Sequence, residues 1–281
     1  MIWLIILPLL AAMKVTVQGF VSRKKCVSVG DSFLLNAMIF AASVLVLFPL
    51  KFAGWPAAKI LLPALFFGVC STAFQCLYLA AFKAGPVGMT TVINNFNLLL
   101  PILYSACVFG ETITRRRLGG VLLMAVSLIL LPRQSKGKFH WKWLLLSLAA
   151  LVAAGSNNTI LLIVSRSNFN KYESDMVVVT GFAVAAVLSS LISLLFRKSI
   201  SLKPDLPSVG GIAVCGVAIG LHNCLTIVSL KALPAIILYP IVNILTILLI
   251  LLSDFVIYKE KLSKRQIVGI VLAAGAIILL N

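Results

Sequence analysis

The stretch KAGPVGMTTVINNFNLLLPILYSACVFGETITRRRLGGVLLMAVSLILL, residues 83–131, returns at residues 231–280 as KALPAIILYPIVNILTILLILLSDFVIYKEKLSKRQIVGIVLAAGAIILL. Lys83, Ala84 and Pro86 meet Lys231, Ala232 and Pro234; beyond a one-residue indel, Asn94, Glu111, Gly120 and Leu131 meet Asn243, Glu260, Gly269 and Leu280. Self-similarity at a period of half a chain points to two structural units of the same design. Outward from this stretch the match continues. Val21-Ser22-Arg23 meets Val164-Ser165-Arg166, and Gly68, Gln75 and Cys76 meet Gly216, Asn223 and Cys224.

Charge and proline divide the chain into apolar runs, and a spanning helix needs about 20 such residues. The first half reads as spans over 2–21, 32–50, 60–82, 86–109 and 118–131, and the second as spans over 143–164, 176–196, 207–230, 234–258 and 267–280. The expected fold is therefore an all-α integral membrane protein with ten transmembrane helices. Residues 1–132 form the first five-helix repeat, 133–142 a basic linker and 143–281 the second repeat. An odd number of spans per unit makes the second enter the membrane in the opposite sense, so the repeats are inverted. Residues 118–131 and 267–280 are short for spans, and Arg117 or Arg265 at their starts could snorkel to lengthen them. Ser263 with Gln266 reads as a capping box opening the last helix.

Composition agrees with a membrane chain: 61% of the residues are hydrophobic and 11% charged, with a mean hydropathy of +1.12. The formal charge of +17 sits in short clusters between apolar runs, the pattern of loops at a headgroup surface rather than of a nucleic-acid-binding face. The first run continues to Val21 without a basic leader and reads as an uncleaved span. The six cysteines form no CxxC pair, so neither a disulfide framework nor a metal site is expected. No phosphate-binding GxxxxGK[ST] motif occurs, which removes direct ATP drive, and no cofactor is expected.

The chain resembles the EamA-like transporters of the drug/metabolite transporter superfamily. The resemblance rests on Gly110-Glu111 closing the fourth span before Thr112 and a Gly-containing fifth helix, on Glu260 and Gly269 in the second copy, and on Gly155-Ser156-Asn157 in the sixth span. It implies ten spans in two inverted repeats and transport of amino acids or related metabolites, sugars less so.

Polar side chains deep in apolar runs are the candidates for chemistry, because an unsatisfied polar group at membrane depth costs several kcal/mol. Thr90, Asn94, Asn97, Pro101 and Tyr104 recur at helical spacing and form one stripe on the fourth span; Tyr239, Asn243, Thr246 and Ser253 form its counterpart on the ninth. Gln75, Asn223 and His222 add polar groups to the third and eighth spans. Lys14 is the one Lys or Arg placed deep within a span, with Gln18 a turn away and Asn157 as its repeat partner. A buried ammonium needs compensation, which a solute carboxylate or phosphate, or a coupled proton, would supply. The expected solute-binding set is thus Lys14, Gln18, Gln75, Asn94, Asn97, Tyr104, Asn157, His222, Asn223, Tyr239 and Asn243. Interhelical glue is the competing reading of such amides, and snorkelling or pairing with Asp254 that of Lys14. Glu111 and Glu260 read as ion-paired or solvated helix ends, and Asp254 as the carboxylate to test for proton carriage.

These features give a secondary transporter for a small polar metabolite, working by alternating access in contact with membrane lipids and with possible coupling to a proton or other ion gradient. No clustered acid, base or metal set suggests an enzyme. The alternatives are a lipid-headgroup flippase, favoured by Arg115-Arg116-Arg117, and a multidrug or sugar transporter of the same fold. The expected location is the plasma (inner) membrane of a prokaryote. Most Lys and Arg fall on loops after odd-numbered spans, so the positive-inside rule places both termini outside, whereas the family resemblance implies both inside.

Overall fold

The computed structural model describes residues 3–51, 58–85, 87–130, 140–203, 205–258 and 263–280, excepting the side chains of 23–24, 87–89, 254–258 and 280. All regular structure among them is helical: α1 (Trp3–Lys25), α2 (Val29–Lys51), α3 (Leu61–Ala84), α4 (Val87–Asn95), α5 (Leu99–Phe109), α6 (Arg115–Leu130), α7 (Trp141–Arg166), α8 (Lys171–Leu195), α9 (Leu206–Ala232), α10 (Ala235–Tyr258) and α11 (Lys264–Leu280). A 3₁₀ turn, Phe96–Leu98, joins α4 to α5 where the sequence suggested one continuous helix. Eight described stretches are long and apolar enough to cross a membrane. Helices satisfy their own backbone groups, which is what an apolar solvent demands of a spanning chain. The protein is an integral membrane protein. With 16 and 17 residues, α6 and α11 are shorter than a full span. Most of the linker expected over 133–142 lies outside the described residues.

Packing runs between the halves. The main contacts of α2 are with α8 and α9, those of α3 with α7 and α8, those of α9 with α1 and α2, and α6 packs on α11. Under the repeat these pairings map onto one another. Phe40 and Phe182 come from matching helices, α2 and α8, and stack with ring centroids 5.4 Å apart, while Phe67 meets Phe182 edge-on. Close approach is made by repeat-related glycines. A Cβ on Gly68 would lie 2.6 Å from the Gly181 carbonyl, and one on Gly216 would lie 2.8 Å from the Ile39 carbonyl. Small residues of this kind let helix backbones touch where lipid supplies no hydrophobic drive between helices.

Ends of opposite helices tie one another down. Arg116 Nη2, at the start of α6, donates to the Ile278 carbonyl near the end of α11 at 3.1 Å, and its repeat mate Arg265 Nη2 donates to the Ile129 carbonyl of α6 at 2.6 Å. The two helices therefore lie antiparallel, each supplying a cation to terminal carbonyls that lack helical partners. At the starts of α2 and α8 stand two capping boxes, Ser28 with Asp31 and Asn170 with Glu173. Each box acid also reaches the other half. Buried Asp31 accepts from the backbone N–H groups of Ser201 and Leu202, both at 2.7 Å, and Glu173 pairs with Lys59 at 2.8 Å. The expected Ser263–Gln266 box is also present.

Candidate functional site

Proline and glycine shape the middle of the fold. Pro101 has no N–H to offer the Asn97 carbonyl four residues back, and its ring crowds that carbonyl; the helix tightens there into the 96–98 turn. Gly155 of α7 receives the displaced carbonyl. A Cβ at 155 would stand 2.7 Å from Asn97 O and 2.9 Å from Leu100 Cβ. The turn also ends the expected stripe. Asn97 faces inward, Thr90 accepts from the Trp143 indole at 2.7 Å, and Tyr104 lines a different cavity.

Inside the turn lies a cavity of about 190 Å³, walled by Leu7 and Ala11 of α1, Asn97, Asn158 of α7, His222 and Thr226 of α9, and Tyr239, Asn243 and Thr246 of α10. Its polar groups hold each other in place. Asn158 Nδ2 donates to Asn97 Oδ1 at 3.0 Å, the Tyr239 hydroxyl donates to the Asn158 carbonyl at 2.7 Å, and Asn243 Nδ2 approaches the Asn95 carbonyl at 3.4 Å. His222 Nδ1 lies 3.1 Å from the Leu7 carbonyl, which fixes it as the protonated nitrogen. The hydroxyls of Thr226 and Thr246 donate to carbonyls one turn back in their own helices at 2.7 Å. Among the described residues nothing bonds Asn97 Nδ2, Asn158 Oδ1, Asn243 Oδ1 or His222 Nε2. The cavity therefore presents donor and acceptor groups without a charged lining residue.

Of the sequence candidates, Asn97, His222, Tyr239 and Asn243 meet in this cavity, and Asn158 joins them although its neighbour Asn157 was the one singled out. Asn94 and Asn157 each bury a side-chain oxygen that has no hydrogen-bond partner among the described residues. Asn223 donates to its own helix at Ile219, and Gln18 donates to Asn36 Oδ1 at 2.9 Å, joining α1 to α2. Gln75 stands half-buried on α3 outside the cavity lining. Lys14 lies on the face of α1 that carries Leu7 and Ala11, and among the described residues its ammonium has neither hydrogen bond nor ion pair. The side chains of Asp254 and Glu260 are outside the described residues. Glu111 is an ion-paired helix end. Gly110, at φ +65°, turns the chain after α5 so that Glu111 pairs with Arg166 at 2.6 Å and accepts from the Ala235 N–H that opens α10 at 3.0 Å. No group of three His, Cys, Asp or Glu able to hold a metal occurs among the described residues.

The EamA-like transporter family matches the chain twice, over residues 2–132 and 141–281. Among solved structures, 29 chains match; one crystal structure, 19% identical, aligns over 97% of this chain and 94% of its own with a TM-score of 0.78, a likeness of fold alone. No curated protein sequence matches.

Proposed function

Because the chain belongs to the EamA-like transporter family, we propose that it moves a small polar metabolite, an amino acid or a related solute, by alternating access. Residues 1–132 and 143–281 act as two inverted five-span units joined by the 133–142 linker, and they rock about the cavity at Asn97 and Asn243. The observation that carries this reading is the set of unpaired amide and imidazole groups facing one void from both halves. Such groups would be costly to leave dry at membrane depth, and a polar solute satisfies them. Transporter sites also tend to sit near the midplane where repeats meet.

Size and charge narrow the solute. At about 190 Å³, the cavity is smaller than the 300–1,000 Å³ typical of drug-sized ligands, which disfavours the multidrug alternative. A neutral lining suits a zwitterion or uncharged polar molecule, and Lys14 beyond Ala11 offers a cation to a carboxylate. Two of the three arginines that suggested a flippase have structural employment: Arg116 donates to the Ile278 carbonyl and Arg117 to the Thr112 carbonyl. Coupling to a proton or other ion gradient and residence in a prokaryotic inner membrane belong to the same reading. A panel of amino acids, small amines and sugars, offered to liposomes containing the purified protein, tests it. Saturable movement of a small zwitterion supports the proposal, while lipid translocation without solute transport refutes it.

A further inference from the structure

A second, larger cavity lies to one side of the central one, between α3, α5 and α7, with a volume of about 610 Å³. Its walls are almost wholly apolar, with Leu62 and Phe66 on α3, Leu100 and Tyr104 on α5, and Ile160 and Val164 on α7 among them. Leu62 and Phe66 are 63% and 54% exposed, and they continue an apolar face made by Leu61, Leu65 and Val69, so the mouth opens toward lipid rather than toward the central site.

The repeat shows that this opening is particular to one half. Its counterpart is the junction of α9, α10 and α1, where Gly211 replaces Pro63, Ser253 replaces Tyr104, and Thr16, Val17 and Val21 replace Thr159, Ile160 and Val164. That junction is shut. A Cβ on Gly211 would lie 2.8 Å from Val21 Cγ2, and the Thr16 and Ser253 hydroxyl oxygens are 3.4 Å apart. Glycine lets Val21 of α1 settle against α9 there, whereas at the matching place on α3 Leu62 and Pro63 line the open cavity.

Charge lies at one end of the gap. Three residues before Leu62 is Lys59, two beyond Val164 is Arg166, and Lys59 and Lys231 both donate to carbonyls of the 168–169 loop. Glu173 pairs with Lys59 and Glu111 with Arg166. The Lys59 side chain remains half exposed, and exposed Lys171 and Lys231 leave this edge with more cations than carboxylates. We infer that the lateral cavity holds an acyl chain of an anionic phospholipid from the surrounding bilayer, with the phosphate of its headgroup at Lys59 and Arg166. Apolar walls open to lipid accept the chain, and the basic edge selects the headgroup. The inference requires only that the protein resides in a membrane and is independent of the solute reading.

Photocrosslinking tests it in the full-length protein reconstituted in vesicles, using phosphatidylglycerol and phosphatidylcholine probes with the same diazirine-bearing acyl chain. The phosphatidylglycerol probe is expected to label the segments around Phe66, Leu100 and Ile160 in excess over the exposed counterpart surface at Val209 and Val214. Its yield there should exceed that of the phosphatidylcholine probe by about fivefold, the effect of one basic residue at a lipid surface. Lys59→Gln should reduce the headgroup difference, and Ile160→Trp, which fills the cavity, should erase the local excess. Labelling spread evenly over α3 and α9, or equal yields from the two probes on the wild-type protein, would overturn the inference without touching the transport proposal.

Discussion

Asn158 Nδ2 donates to Asn97 Oδ1 across 3.0 Å, and this bond joins the second half of the chain to the 3₁₀ turn that interrupts the fourth apolar run of the first half. Two amides bonded head to tail leave one NH₂ group and one carbonyl free. These are the complementary groups that a zwitterionic or amide-bearing solute would engage.

The turn itself is the first point to test. Pro101→Ala returns an N–H within reach of the Asn97 carbonyl and lets α4 run into α5 as one helix. Asn97 would then rotate off the cavity wall. The expected outcome is a folded protein with unchanged or raised melting temperature and transport reduced about tenfold, the effect of one lost hydrogen bond of about 1.4 kcal/mol. Reconstituted transport measured beside thermal unfolding in detergent separates the two effects.

Helix packing gives a matched pair of glycine substitutions. A methyl group at Gly216 would press on the Ile39 carbonyl and the Ser43 N–H, neither of which can rotate aside, whereas Gly119 has nothing within 4 Å of its Cβ position. Gly216→Ala should destabilise by about 1–3 kcal/mol, and Gly119→Ala should be neutral or stabilise by up to about 1 kcal/mol. Thermal melts of both variants check the sign of each.

Orientation is read from Cys26, in the loop after α1. The charge distribution places this loop inside, so an impermeant thiol reagent applied to intact cells should leave Cys26 unlabelled until the membrane is permeabilised. Burial, with a smaller contribution from the Asp31 charge, pushes the Cys26 thiol above its ordinary range, opposed by a hydrogen bond with Ser22. Less thiolate is present at neutral pH, and labelling of permeabilised cells should keep rising as pH increases past the usual thiol value. Rapid labelling of intact cells would place the termini inside.

Lys14 carries a separate prediction. A basic residue at the centre of a span costs about 2.5–3.5 kcal/mol on insertion scales, and no described group pairs with this one. Lys14→Met should therefore insert at least as well as the wild type while losing most transport or its pH dependence. Wild-type transport with an unaltered pH profile would leave the ammonium without a functional part.

The helices, their order and the match between the two halves were legible because lipid imposes one strong rule, an apolar run per helix. The site was legible only in part. Asn97, Tyr239, Asn243 and His222 stood out as deep polar residues, but the stripe through Thr90, Asn97 and Tyr104 assumed an unbroken helix. Pro101 was the available signal that it breaks. Asn158 was passed over because the repeat aligns Lys14 with Asn157, and one residue along a helix turns a side chain by about 100°. Gln18, a turn from Lys14 in sequence, is instead held by Asn36 on α2, a contact between helices that spacing along one helix does not reveal. The capping boxes at Ser28–Asp31 and Asn170–Glu173 follow a readable spacing, yet the reach of Asp31 to Ser201 depends on a fold that brings the halves together.

The most direct measurement is uptake of a small zwitterionic solute, amino acids first, by liposomes containing the wild-type protein, the Asn243→Ala variant or the Asn158→Ala variant. Removing either amide leaves cavity groups or solute unsatisfied at a cost of about 1–3 kcal/mol. The account predicts saturable uptake by the wild type and a loss of about tenfold or more in each variant, with both still folded. Wild-type rates in both variants would contradict it.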